Sequence, residues 1–157
     1  TGRFHGEATY SYLVSRRDDH DGRGEYTAPF SLPHNFAAHV GYELSDRWFV
    51  SSKFRYAAGR PKDRVVVHQN VLGDADRMRY SQEVIARNAD RVGAFHTLDV
   101  RTDYRRQLGP VALITFLDVE NIYNRFNIHE ERFSDLTGEQ RPIGYGILAN
   151  FGFKLEL

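Results

Sequence analysis

Charged side chains of alternating sign recur at every second position in one segment: Asp99, Arg101, Asp103 and Arg105. In a strand they would share one face, because successive strand side chains point to opposite faces. The same phase places His39, Glu43, Lys53 and Arg55 on the matching face of two earlier segments. Opposite charges on neighbouring strands form cross-strand ion pairs. We expect a solvated, mutually paired lining, which would face the lumen if the strands form a barrel, with a plug-contacting or substrate-guiding wall as the alternative.

Two arginines, Arg60 and Arg64, open the longest stretch between strand-like segments. A guanidinium group presents a planar fork of donors that suits carboxylates and phosphates. These two residues are therefore the candidates for contact with an anionic ligand. The alternative is a loop whose arginines are held by its own neighbouring residues.

Other site chemistries lack a motif in this sequence. The chain has no Cys, which excludes disulfides, thiolate zinc sites and thiol nucleophiles. None of the 7 His stands at a compact metal-ligand spacing, and the acidic run at residues 18–22 lacks the pattern of a calcium loop. Phosphate loops, dinucleotide fingerprints, nucleophile elbows and a distinctive carboxylate pair are also absent. The sequence therefore predicts no enzyme, no metal and no cofactor.

Length and charge set further bounds. The 157 residues suffice for one domain, which we place at residues 1–157. The 21 Lys and Arg residues balance 21 Asp and Glu residues, which argues against a nucleic-acid partner. No apolar run approaches the about 18 residues of a transmembrane helix. Membrane-spanning strands remain possible, because their signal is alternation.

The elements that position these residues follow a period of two. Five segments alternate apolar and polar residues, at residues 3–16, 35–44, 48–56, 96–106 and 145–157, and a sixth, at residues 111–121, is apolar on both faces until Asp118. No segment keeps a helical period, so we predict an all-β, antiparallel meander of about six long strands. Most runs exceed the usual strand of about 5–6 residues. They reach the about 9–11 residues of a membrane-spanning strand.

The connections alternate in length. Residues 45–47 and 107–110 are short turns, whereas residues 17–34, 58–95 and 122–143 are long. Outer-membrane barrels combine short periplasmic turns with long extracellular loops. We therefore expect the short turns on the periplasmic side and the long loops on the cell surface.

The apolar phase of the six segments would face lipid in such a barrel. Trp48, Tyr42 and Tyr104 flank the short turns, where aromatic girdles lie at the headgroup level. The residues predicted to face outward are Phe36, Val40, Tyr42, Trp48, Val50, Phe54, Leu98, Val100, Ile147, Phe151 and Phe153. A soluble β-sandwich, with the aromatic residues in its core, is the alternative.

The final segment resembles the signal that the barrel-assembly machinery reads on a last strand. Its candidate residues are Asn150, Gly152, Leu155 and Leu157, and Leu157 departs from the usual terminal Phe. Further motifs are Gly59, Arg60 and Pro61, then Asn88 and Arg91, then residues 95–101 and 117–124, then Gly146. In this order the chain resembles the C-terminal end of a TonB-dependent outer-membrane receptor. One departure is that residues 32–39 lack the acidic residue that the family often has near a comparable His.

This resemblance implies a function. It predicts energy-coupled uptake of an iron chelate, vitamin or oligosaccharide through the bacterial outer membrane. It implies a 22-stranded barrel with an N-terminal plug and a periplasmic coupling box, none of which lies in residues 1–157. The implied partners are outer-membrane lipid, the barrel-assembly machinery, a small-molecule or chelate ligand and the inner-membrane energy-transducing complex. Because a strand pattern is already running at residue 3, we expect the chain to be a segment of a longer protein.

Two alternatives remain open at this level. Residues 65–67 and 78–80 form a predicted hairpin, and counting it as two strands gives a small complete eight-stranded barrel with a structural or adhesive role. A turn at residues 71–76 would join that pair. The other alternative is a soluble β-sheet binding module or hydrolase. If the receptor resemblance holds, the first and last strands do not pair with each other.

Overall fold

The computed structural model describes residues 2–71 and 78–157, and those residues form twelve strands. The strands are β1 (Phe4–Ser11), β2 (Arg16–Arg17), β3 (Tyr26–Thr27), β4 (Asn35–Glu43), β5 (Trp48–Ala57), β6 (Pro61–Val71), β7 (Met78–Arg91), β8 (Phe95–Leu108), β9 (Val111–Glu120), β10 (Asn127–Phe133), β11 (Gln140–Tyr145) and β12 (Leu148–Glu156). The predicted all-β class is confirmed. Among the described residues, no helix has the length and apolarity needed to cross a membrane.

Six long strands form one antiparallel sheet in the order β1-β4-β5-β8-β9-β12. They correspond to the six predicted segments, but two boundaries differ. The first strand ends at Ser11, and β2 begins at Arg16 after a break. The last strand begins at Leu148, because the Ile147 N–H donates instead to Asn124 Oδ1 at 2.9 Å. Tyr145 belongs to β11, where it pairs with Asn127.

Each long loop carries a two-stranded sheet of its own, namely β2–β3, β6–β7 and β10–β11. The sequence predicted only β6–β7. The short turns join β4 to β5 and β8 to β9, and Gly109 in the second turn has φ of 65°. The predicted order of long and short connections is therefore confirmed.

Cross-strand register assigns each side chain to one of two sheet faces. Tyr42, Val50, Thr102, Leu117 and Phe151 lie opposite one another across five consecutive strands. The apolar face, defined by this row and by every second residue from it along each strand, holds all the residues predicted to face outward except Ile147. Ile147 lies outside β12 and belongs to neither face.

The sheet is a single layer with little buried apolar surface. Among the described residues, only Ala28 and Ala112 are buried apolar side chains. Phe151 and Phe153 keep 77% and 70% of their surface exposed. The accessible surface of 11233 Å² exceeds the about 8,100 Å² expected for a compact monomer of this mass. The aromatic residues of the apolar face are therefore not the core of a closed sandwich.

The two edges of the sheet do not meet. Within the described ranges, β1 pairs only with β4, and β12 pairs only with β9. Because β6 and β7 pair with each other outside it, the main sheet of the described residues has six strands and not the eight of the small-barrel alternative. Its proposed turn at residues 71–76 falls almost wholly on residues 72–77, outside the described residues.

Candidate functional site

The face opposite the apolar face carries the candidate site, here called the polar face. Register places all eight predicted polar-face residues on it: His39, Glu43, Lys53, Arg55, Asp99, Arg101, Asp103 and Arg105. His39 lies opposite Lys53, which in turn lies opposite Asp99. A shallow cleft of about 150 Å³ lies between these residues and Arg101. The alternation of charge in the sequence thus becomes a two-dimensional array of charge.

Asp99 is the most buried carboxylate of this array, with 5% of its surface exposed. Arg55 Nη2 donates to its Oδ2 at 2.8 Å, and Lys53 Nζ lies 3.7 Å from the same oxygen. The backbone N–H of Asn121 donates to its Oδ1 at 3.0 Å. Arg55 also reaches Glu120 at 3.6 Å. Both oxygens of Asp99 therefore have donors, as a buried charge requires.

Arg101 is held by three neighbours. Its guanidinium donates to Asp103 at 2.7 Å, lies 3.9 Å from Asp118 and stacks 4.0 Å from the centre of the Phe116 ring. Such a cation–π contact adds to the ion pair. These contacts form a network of ion pairs, as expected for a mutually paired lining.

Two histidines and a phenylalanine form a ring cluster near the β1 edge. His5 stacks on Phe49 with ring centres 5.4 Å apart and planes 3° apart, and His39 lies 6.1 Å from His5. Gly41 permits this contact, because a Cβ there would collide with both the His5 and Phe49 rings. The described residues contain no group of three His, Asp or Glu side chains that could hold a metal ion.

One position on the polar face keeps unused hydrogen-bonding capacity. Thr97 is 1% exposed and lies directly opposite Arg55 in the register. Thr97 Oγ1 and Arg55 Nε are buried without a hydrogen-bond partner among the described residues. This pair could not be predicted from the sequence, because it depends on the register between strands β5 and β8.

The two predicted ligand contacts lie at the start of the β6–β7 hairpin, with Arg60 just before β6 and Arg64 within it. Arg64 donates to both oxygens of Asp90, at 2.6 Å and 3.1 Å. Its guanidinium lowers the pKa of the Asp90 carboxyl. Arg60 donates to the backbone carbonyl of His129. The chain's own groups thus hold both side chains, and contact with a ligand stays a prediction.

A larger crevice lies between the β2–β3 hairpin and β7, with a volume of about 630 Å³. Arg16, Arg23, Tyr26 and Arg87 line it. Arg87 is the best fixed of them, because it reaches Asp19 at 2.9 Å and lies over the Tyr26 ring. Small-molecule sites commonly have volumes of about 300–1,000 Å³. Sequence reasoning missed this crevice, since its walls come from two loops far apart in the chain.

Ion pairs tie the middle hairpin to both other loops. Arg87 joins it to the first loop, as described above. On the other side, Lys62 Nζ lies 2.6 Å from Glu131, and Arg79 Nη1 lies 2.8 Å from Asp135. The three long loops are therefore joined through the middle one.

The predicted assembly signal lies on β12 and just beyond it. The register places Asn150 and Gly152 at positions of the polar face and Leu155 at a position of the apolar face. Gly152 leaves room for the Phe116 ring, which a Cβ would overlap. Leu157 is fully exposed. Recognition by the assembly machinery stays a prediction.

Comparisons with known proteins add no identification. The resemblance to TonB-dependent receptors therefore stays a prediction from the motifs. No family model, no curated protein and no solved structure matches this chain.

Proposed function

We propose that this chain forms part of the wall of an outer-membrane barrel that takes up a scarce nutrient by an energy-coupled mechanism. The solute would be an iron chelate, a vitamin or an oligosaccharide, and the protein would carry out no covalent chemistry. The observation that carries the proposal is the division of one single-layer sheet into an exposed apolar face and an ion-paired polar face.

Two aromatic rows bound the apolar face, and they support a position in a bilayer. The turn-side row lies next to the short turns and comprises Phe4, Tyr42, Trp48 and Tyr104. The loop-side row comprises Tyr10, Phe36, Tyr56 and His96, which lie opposite one another in successive strands. Aromatic girdles flank the apolar band of transmembrane barrels in the same way.

The spacing of the rows fits a membrane. On each strand the two rows are six or eight residues apart, which is about 20–26 Å along the strand at about 3.3 Å per residue. Because strands of transmembrane barrels tilt by about 35–45°, the rows lie about 14–22 Å apart in height, which falls within the apolar band of about 25 Å. At the paired positions of the sheet between the rows, the apolar face carries no charged side chain. Lipid is therefore the environment that best satisfies this face.

The loops support transport over a purely structural role. The charges of the polar face are paired with one another, as at Asp99 and Arg101, which suits the lumen wall of a barrel with either role. The crevice beside Arg87, together with Arg60 and Arg64, supplies guanidinium groups on the loop side. We propose these loops as the first contact for the solute.

Cysteine labelling on whole cells tests the proposed orientation. The chain has no Cys, so Asp46→Cys and His20→Cys each introduce a unique thiol. A membrane-impermeant maleimide should label position 20 in the first long loop and leave position 46 unlabelled until the cells are lysed. Labelling of position 46 alone on intact cells would show that the short turns, and not the long loops, face the cell surface. Equal labelling of both positions on intact cells would contradict the proposal that the sheet spans the membrane.

Uptake measurements test the transport itself. Cells with and without the protein would receive radiolabelled ferric chelate, cobalamin or oligosaccharide, each with and without a protonophore. We expect protein-dependent accumulation of one solute class, and we expect the protonophore to abolish it. Accumulation that resists the protonophore would indicate a passive pore, and no protein-dependent uptake of any class would contradict the transport proposal.

A further inference from the structure

Two adjacent arginines near the second short turn point to opposite faces of the sheet. Arg105 lies on the polar face and pairs with Glu156 at 2.8 Å. Arg106 lies on the apolar face opposite Leu113 and is exposed. Among the described residues, its side chain has no hydrogen bond or ion pair. It is also the one charged side chain at the paired positions of the apolar face.

The turn-side aromatic row leaves further donors unused beside Arg106. Trp48 and Tyr104 lie with ring centres 4.8 Å apart. Within the described residues, neither the Trp48 indole N–H nor the Tyr104 hydroxyl has a hydrogen-bond partner. Arg106 follows Tyr104 by two residues on the same face, about 7 Å along the strand. A guanidinium and two neutral donors thus lie at neighbouring positions of one exposed face.

The loop-side row differs in this respect. The Tyr10 hydroxyl bonds with the His34 ring at 2.9 Å, and the Tyr123 hydroxyl bonds with the His96 ring at 2.6 Å. Tyr56 is the exception, with no such partner among the described residues. Most polar side-chain groups of the loop-side row therefore have a hydrogen-bond partner within the chain. Those of the turn-side row have none among the described residues.

We infer that Arg106, with Tyr104 and Trp48, binds the phosphate of an anionic phospholipid in the leaflet at the short turns. This inference rests on the proposed membrane position of the apolar face. Guanidinium groups bind phosphate through two parallel hydrogen bonds. Tyr and Trp favour the headgroup level, where their polar tips find acceptors.

A lipid fits this strip better than a free phosphate ion. Leu113 lies opposite Arg106, and Leu155 lies opposite Leu113 on the next strand. Leu155 is 59% exposed. The acyl chains of a bound lipid would cover these leucines while its headgroup meets the guanidinium. An inorganic ion would leave them in water.

Fluorescence quenching of Trp48 tests the inference, because Trp48 is the one Trp in the chain. The protein would be reconstituted in phosphatidylcholine vesicles that contain either brominated phosphatidylglycerol or brominated phosphatidylcholine. We expect brominated phosphatidylglycerol to quench Trp48 with about fivefold higher relative affinity at low salt, the attraction of one arginine for an anionic surface. Raised salt should weaken the preference.

Variants test whether the preference for phosphatidylglycerol depends on Arg106. Arg106→Gln should reduce it to about onefold, Arg106→Lys should keep most of it, and the neighbouring control Arg105→Gln should leave it unchanged. Circular dichroism verifies that each variant keeps its strand content. An equal loss in Arg106→Gln and Arg105→Gln would assign the preference to net charge and overturn the lipid site.

Two further outcomes separate this inference from the proposed function. Quenching by both lipids with no preference in the unchanged protein would overturn the lipid site and leave the membrane position standing. No quenching by either lipid would overturn the membrane position itself. Inorganic phosphate, added at matched ionic strength, should not displace brominated phosphatidylglycerol. Displacement would indicate a general anion site and overturn the assignment to lipid.

Discussion

Arg55 and Asp99 form an ion pair across strands β5 and β8, with Arg55 Nη2 2.8 Å from Asp99 Oδ2. The other oxygen of Asp99 accepts the backbone N–H of Asn121, the residue that follows β9. One carboxylate therefore connects three adjacent strands at the side of the long loops. Its burial makes the loss of its charge costly, because Arg55 would lose its closest counter-ion and keep only the more distant Glu120, at 3.6 Å.

We predict that Asp99→Asn lowers the free energy of unfolding by about 3 kcal/mol. The matched control is Asp103→Asn, which removes a more exposed partner of Arg101 on the same strand. We expect the control to cost less than about 1 kcal/mol. Urea unfolding of the lipid-reconstituted protein measures both. Equal costs for the two variants would show that Asp99 does not have the special role given to it here.

The polar array could be predicted from the sequence only in part. The face that Asp99 and Arg55 share follows from a period of two, which is a local property of the chain. Which arginine reaches which carboxylate depends on the register between strands, and β5 and β8 are separated by the whole middle loop. The contact from Asn121 was not predicted, because it uses a backbone group that any residue type could supply.

The apolar face gives a second prediction, at Val40. We predict that Val40→Arg destabilises the lipid-embedded sheet by about 2–4 kcal/mol if the residue lies near the bilayer midplane. Val40 lies between the two aromatic rows, with Tyr42 and Phe36 on either side along β4. The measurement is the folded fraction against urea concentration in vesicles.

The control for Val40 is its neighbour His39, which faces the polar side of the same strand. His39→Arg should cost less than about 1 kcal/mol, since a new charge there meets water and other charges. If Val40→Arg left the free energy of unfolding unchanged and His39→Arg lowered it, His39 would be the residue that faces lipid and Val40 would face the other side.

Asp19 gives a prediction about pH. The Tyr26 hydroxyl and then the Arg17 guanidinium donate to its carboxylate, at 2.8 Å and 2.5 Å, and together they lower the pKa of the Asp19 carboxyl below its ordinary value of 3.8. A lowered pKa in the folded state means that the contact stabilises the loop above the ordinary value. That stabilisation is lost as the pH falls through the lowered pKa.

We therefore predict that the β2–β3 hairpin, which Asp19 joins to Arg87 on β7, loosens below about pH 4. Hydrogen exchange of the Arg17 and Tyr26 amides, corrected for intrinsic rates, should show protection falling in that range. In Asp19→Asn the protection should be low at every pH. Asp18→Asn is the control, because Asp18 accepts only a local bond from the His20 N–H and lacks a link to β7. Protection in Asp19→Asn equal to that of the unchanged protein at neutral pH would contradict this role of Asp19.

The loops were harder to predict than the sheet. The β2 and β3 strands have two residues each, too few to show an alternation, and β10–β11 contains a register shift between Ile128 and Glu130. The crevice beside Arg87 forms where the β2–β3 hairpin meets β7, and side-chain pairs such as Asp19 with Arg87 hold the two together. Such contacts leave no periodic trace in the sequence.

The unpaired edges give the last prediction. Strands β1 and β12 each pair on one side only within the described residues, and an unpaired backbone group in lipid costs several kcal/mol. We therefore predict that this 157-residue chain does not close into a monomeric barrel by itself. Unheated samples in gel electrophoresis with mild detergent should show no compact monomer band that shifts on boiling. The outward amides of both edge strands should exchange rapidly, whereas those of β5 and β8 should be protected. A compact, heat-sensitive monomer band with both edges protected would show that β1 and β12 pair, and the small complete barrel would then replace the receptor segment.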